Sequence, residues 1–157
     1  MPEDFSPYNV QVVGGKIYVI YAAIDLGAEE PAFDDPGEGH GHVAVYDRDG
    51  HIVQEFSDKG RLNSPWGVTL APPTFGAMGG KLLVANFVDG TIAAFEPETG
   101  VFVDFLRDHD GKPISIDGIW GLAFGNGVSL GDANALYFTD GPNGEQDGVF
   151  GRLNAVR

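Results

Sequence analysis

The sequence predicts an all-β protein built from four-stranded antiparallel units, the blades of a β-propeller. Two observations carry that prediction. Gly (24) and Pro (10) are abundant in the 157 residues, while charged residues make up only 20%. Both residues are excluded from helix interiors and suit turns. No window sustains an apolar period of 3.6 residues, so little or no helix is expected. The second observation is that the chain repeats itself. "LNSPWGVTLAP" begins at Leu62 and "IDGIWGLAFGN" at Ile116, and Trp66-Gly67 maps onto Trp120-Gly121 at a constant offset of 54. The offset holds onward: Leu82-Leu83-Val84 maps onto Leu136-Tyr137-Phe138, Asn86 onto Asp140 and Gly90 onto Gly144.

A weaker copy comes first. Tyr8 stands for Trp66, Gly14-Gly15-Lys16 for Gly79-Gly80-Lys81, and Val43, Tyr46 and Asp47 for Ile92, Phe95 and Glu96. The first unit is expected to use strands Asn9–Val13, Lys16–Ala22, His42–Asp47 and Ile52–Phe56. The second uses Gly67–Ala71, Lys81–Asn86, Thr91–Glu96 and Val101–Leu106. The third has Gly121–Gly125, Ala135–Thr139 and Gly148–Leu153, and lacks an outer strand. The blades thus cover about residues 8–56, 62–106 and 116–153 of one domain. Tight turns join the outer hairpins at Arg48-Asp49-Gly50 and Pro97-Glu98-Thr99-Gly100. Each Trp-Gly pair opens an innermost strand, where glycine lets crowded strands approach around the axis.

A net charge of −14 and a sequence pI near 4.3 argue against nucleic acid as a partner, because phosphates are repelled. No run reaches membrane-spanning length, so no membrane insertion is expected. Without cysteine there is no disulfide or thiolate chemistry. Closed propellers need about four to eight blades, and three leave two blade faces and a strand edge open. Two resolutions stand at this stage. One is a homodimer whose halves close a six-bladed ring about a two-fold axis, with the missing outer strand supplied by the Asp4–Tyr8 segment of a partner copy. The other is a longer parent chain.

The segments Asn63–Gly67, Asn86–Gly100, Ile116–Gly127 and Leu136–Asn143 resemble the NHL-like six-bladed propellers. They are most similar to an uncharacterised, usually exported bacterial family about twice as long, of which the chain matches the C-terminal half. The resemblance implies the fold and an exported parent, but no activity.

Candidate site residues gather where the chain enters the innermost strands and leaves the second strands, on one face around the channel mouth. Asn63 and Asp117 precede the two Trp-Gly strands, and Asn86 and Asp140 end the second strands. Converging oxygen ligands suit Ca²⁺, which makes these four the candidate metal ligands and calcium the candidate cofactor. The alternative for all four is turn formation, their side chains satisfying backbone N–H groups. The pattern resembles metal-dependent lactonase and phosphotriesterase propellers, which implies a metal acting as Lewis acid. Trp66 and Trp120 are the candidate ligand-binding residues, since aromatic faces suit pyranose rings. At the heads of buried strands they are expected to pack between blades.

His40-Gly41-His42, downstream of Asp34, Asp35 and Glu38, has the composition of a transition-metal site but no third ligand at a set spacing, so a solvated loop is expected. The 19-residue stretch Ala23–Gly41 is the longest insertion and a candidate gate for the mouth or contact for a second protomer. Asp47-Arg48-Asp49-Gly50 lacks the frame of a calcium loop and reads as a hairpin turn. No catalytic residue is identified. A binding or scaffold module presenting its mouth to a small molecule, glycan or protein is the leading reading, with a calcium-dependent lactonase- or esterase-like hydrolase as the alternative.

Overall fold

The computed structural model describes residues 4–27, 36–56 and 60–156. Its eleven strands form three antiparallel sheets. Blade one comprises β1 (Phe5–Val13), β2 (Lys16–Ala23), β3 (Gly41–Tyr46) and β4 (Ile52–Glu55). Blade two comprises β5 (Pro65–Leu70), β6 (Leu82–Asn86), β7 (Ile92–Phe95) and β8 (Phe102–Phe105). Blade three has three strands, β9 (Ile119–Phe124), β10 (Ala135–Asp140) and β11 (Val149–Asn154). Neighbouring strands follow chain order within each sheet. Among the described residues, helical structure is limited to a 3₁₀ turn at Gly76–Met78 and one turn at Pro142–Glu145, and none is long and apolar enough to span a membrane.

The three sheets stack in order, with β5 packed between β1 and β9. Blade two explains the stacking through the two-residue period of a strand. Leu82, Val84, Ala93 and Phe95 point into a core shared with Tyr18, Ile20, Val43, Val45 and Phe56 of blade one. The alternate residues Leu83, Ala85, Ile92 and Ala94 join Ile119, Leu122 and Leu136 of blade three. Both faces of blade two are covered, which is why "LLVAN" is apolar without alternation.

The innermost strands nearly touch. A Cβ on Gly67 would lie 2.3 Å from the Trp120 carbonyl oxygen, so only glycine fits there. The Asn9 side chain donates to the Trp66 carbonyl at 3.0 Å, tying blade one to blade two in the same region.

The outer turns form as expected. Asp47 Oδ1 accepts the N–H groups of Asp49 and His51 at 2.9 Å each, a self-contained Asx turn. The N–H of His51 is the main cause that holds this carboxyl below the usual range. Asp108 builds the same turn with Asp110 and Lys112.

Two expectations are corrected. Residues 5–8 belong to β1, where Phe5 pairs with Ala23 and Pro7 with Tyr21. The segment Asp4–Tyr8 is therefore committed to its own blade rather than available to complete blade three. Pro7 is tolerated because β1 is an edge strand and a register shift follows it. His42 lies on β3, as the strand expected over His42–Asp47 has it, so the solvated-loop reading of His40-Gly41-His42 is corrected for His42; its Nε2 is 3.3 Å from Glu55 Oε1 on the neighbouring strand. Asp34 and Asp35, with the rest of residues 28–35 of the Ala23–Gly41 insertion, lie outside the described residues.

Candidate functional site

Chain direction alone places one set of residues on a common face. β1, β5 and β9 start where β6 and β10 end, because each pair is antiparallel. Backbone bonds fasten this edge identically in two blades: Phe87 N–H donates to the Ser64 carbonyl at 3.0 Å, and Gly141 N–H to the Gly118 carbonyl at 2.9 Å. Ser64 and Gly118 are equivalent and both left-handed, at φ 46° and 67°.

An open cleft of about 900 Å³ lies on this face. Tyr8 of β1, Trp66 of β5, Phe87 beyond β6, and Trp120 of β9 form its aromatic walls. All four rings are half-buried. Tyr8 and Trp66 meet edge to face, with centroids 5.7 Å apart and planes at 71°. The Trp120 ring rests on Gly141, where a Cβ would come within 2.6 Å of it. Ser6, Thr139 and Glu145 supply the polar side chains of the lining, and no lysine or arginine among the described residues contributes. Trp66 and Trp120 thus share one cleft while also sitting beside the blade junction.

Glu145 reaches the rim on a connection that is longer in blade three than in blade two. Asn86 N–H bonds across to Thr91, whereas Asp140 pairs with Val149. Within the longer connection Asn143, Gly144 and Glu145 are all left-handed, at φ 58°, 63° and 63°. The Asn143 N–H donates to Asp117 Oδ2 at 3.3 Å, and its side chain donates to Asp147 Oδ2 at 2.7 Å.

The four candidate metal ligands fall into two pairs, one per blade. In blade two, Asn86 Oδ1 accepts the Asn63 N–H at 3.1 Å. Asn86 Nδ2 donates to the Arg61 carbonyl and to Thr91 Oγ1, both at 2.9 Å. Asn63 Oδ1 accepts the Gly37 N–H at 3.0 Å, and its Nδ2 donates to Asp89 at 3.3 Å. Both amides are spent on holding loops together. In blade three Asp117 receives Asn143, and Asp140 is buried with no hydrogen-bond partner for Oδ1 among the described residues. Among those residues no group of three or more His, Asp or Glu is placed to hold a metal ion. Asn63 and Asn86 are thus hydrogen-bonded within blade two, and Asp117 and Asp140 lie in blade three.

Phe87, Thr139 and Glu145 escaped the sequence reading. Phe87 follows Asn86 directly in "NFVDG", so its place on the mouth was available from the strand ends. Glu145 was not, because its position depends on a loop that departs from the repeat.

No family model matches the chain. Two uncharacterised proteins of Acanthamoeba polyphaga mimivirus are each 34% identical to it over 153 residues. The match covers 98% of this chain but 36% of one relative and 39% of the other, so the chain spans little more than a third of their length. These relatives are viral, whereas the resemblance read from the motifs was to a bacterial family. Among solved structures, a protein of unknown function from Bacteroides caccae superposes with a TM-score of 0.50 at 13% identity, covering 99% of this chain and 48% of that one. An α-L-arabinofuranosidase from Fusarium graminearum superposes with a TM-score of 0.53 at 15% identity, covering 94% and 42%. At such identities the likeness is one of fold.

Proposed function

We propose that the chain is a propeller-type binding module that takes a small molecule into the aromatic cleft at its mouth. The observation that carries this reading is the convergence of four aromatic rings from three blades on one cavity. Concave, mostly aromatic clefts with a few polar groups are the usual form of small-molecule sites. Large half-buried rings left facing a cavity keep apolar surface in water, which a ligand would remove. The test is a ligand screen followed by tryptophan fluorescence, informative because the chain's two tryptophans both line the cleft. A hit should saturate in the parent protein and be lost in Trp66→Ala and Trp120→Ala. A hit that survives both substitutions lies elsewhere and would overturn the reading.

The same reading extends to assembly, with the ring completed by a second copy. Gly90 sits against Ile116 of the next blade, where a Cβ would come within 2.5 Å, and Gly144, its counterpart in the repeat but on a longer connection, meets nothing among the described residues. On the opposite side of the stack, Val10 and Val12 of β1 are 63% and 70% exposed. A blade from another copy would cover such faces in the way blade two is covered. Light scattering should then give twice 16.7 kDa. Because each copy carries −14, association should tighten as salt is raised. A monomer at high salt and high concentration would sink the dimer.

A further inference from the structure

The cleft combines four aromatic rings, the hydroxyls of Ser6 and Thr139, one carboxylate on its rim and, among the described residues, no basic side chain. An aromatic face carries partial negative charge and attracts a cation placed over it. Tyr8 and Trp66, nearly perpendicular at 71°, make a corner rather than a flat stacking platform. A corner surrounds a compact, roughly spherical group better than a planar one. Glu145 adds a formal negative charge beside the rings, and the whole chain, at −14, concentrates cations around it. Resting on the reading of the cleft as a binding site, we infer that its ligand is a small free organic cation with a quaternary ammonium head. Such a head has no N–H groups to satisfy, which suits walls that are mostly rings.

The loop that carries Glu145 supports the assignment. Glu145 and Asn143 are non-glycine residues held left-handed, a conformation that costs about 1–2 kcal/mol each. The bonds from Asn143 to Asp117 and Asp147 keep them there. Strain retained at the rim of a cavity is the usual mark of a side chain held for a ligand. The remainder of the 900 Å³ accommodates the body of the molecule.

The test is a fluorescence titration with choline and with its neutral isostere, in which a carbon replaces the nitrogen. Choline should saturate, and the isostere should bind at least about tenfold more weakly, since the two differ in charge but not shape. Glu145→Gln should weaken choline about three- to tenfold and leave the isostere unchanged. Glu145→Gly should weaken choline to the same extent yet melt at a higher temperature than the parent, which excludes misfolding as the cause. Equal binding of choline and isostere would overturn the inference. Saturation by a neutral methyl pyranoside without response to choline would do so too, while leaving the cleft reading intact. A trimethyl-lysine peptide that binds more tightly than choline would replace the free small molecule with a protein tail. Silence from every probe, in a protein whose tryptophan substitutions also change nothing, would remove both readings together.

Discussion

Blade two and blade three share a repeat at a constant offset, yet equivalent positions meet different surroundings. Ile92 pairs with Ala85 in blade two; its counterpart Phe150 pairs with Thr139 in blade three. Ile92 is fully buried between blades, and Phe150 is 73% exposed, stacked on Tyr137 at 5.7 Å. Gly67 cannot accept a Cβ because the β9 backbone is there, while Gly121 would bring its own no closer than 3.1 Å to Thr139 Oγ1. Local pattern decides that a strand forms and which way its side chains point. Whether those side chains are buried is decided by the next blade. Blade three therefore presents to solvent a face assembled as an interior.

The largest effect should separate the two glycines. Gly67→Ala forces β5 and β9 apart and should cost at least about 3 kcal/mol in urea denaturation, enough to unfold a marginal domain. Gly121→Ala should cost less than about 1 kcal/mol in the monomer. Equal losses would mean that Gly121 is covered as tightly as Gly67, as a ring closed by a second copy requires. Repeating the measurement at dilution would then restore the difference. The side chains should follow the same order. Ile92→Ala removes a fully buried branch and should cost about 2–4 kcal/mol. Phe150→Ala should stay within about 0.5 kcal/mol unless a partner covers it.

How much of this was legible beforehand depends on what each feature rests on. The strands were legible within a few residues because they follow alternation and turn chemistry, which are local. The blade order followed from the repeat. The start of β1 was not legible, because Pro7 reads as a strand breaker unless its edge position and register shift are known. The role of Asn86 was half legible: its place on the mouth came from the strand end. That its amide is consumed by Asn63, Arg61 and Thr91 depends on how two loops fold back. Glu145 was invisible for the same reason, since a loop that departs from the repeat has no template within the sequence.

A smaller effect tests whether blade two can be made more like blade three. Ser64 is fully buried and left-handed, and its hydroxyl has no partner among the described residues. Its counterpart in blade three is Gly118. Ser64→Gly relieves the backbone strain and removes an unsatisfied hydroxyl, against the greater freedom of glycine in the unfolded chain. The balance should be a gain of about 1 kcal/mol, or roughly 2–4 °C in Tm. A loss would mean that the hydroxyl is satisfied by bound water and the strain is slight.

The smallest effect belongs to a feature that blade three lacks altogether. Beyond β8, Arg107 grips Asp104 through two bonds, Nη2 to Oδ1 at 2.8 Å and Nε to Oδ2 at 3.0 Å. Its Nη1 also donates to the Gly111 carbonyl at 2.9 Å, which clips the following loop to the outer strand. The Arg107 hydrogen bonds hold the Asp104 carboxyl below its ordinary range. A carboxylate whose folded-state pKa is depressed contributes stability above its unfolded value, about 3.9, and loses it as pH falls through the folded value. The pair is well exposed, so solvent screening keeps the contribution small. Urea midpoints at about pH 5 and about pH 3 should therefore fall slightly more for the parent protein than for Asp104→Asn, the difference shrinking in high salt. Identical slopes would show that the clip orders the loop without stabilising the blade, leaving the outer edges of blades two and three energetically alike.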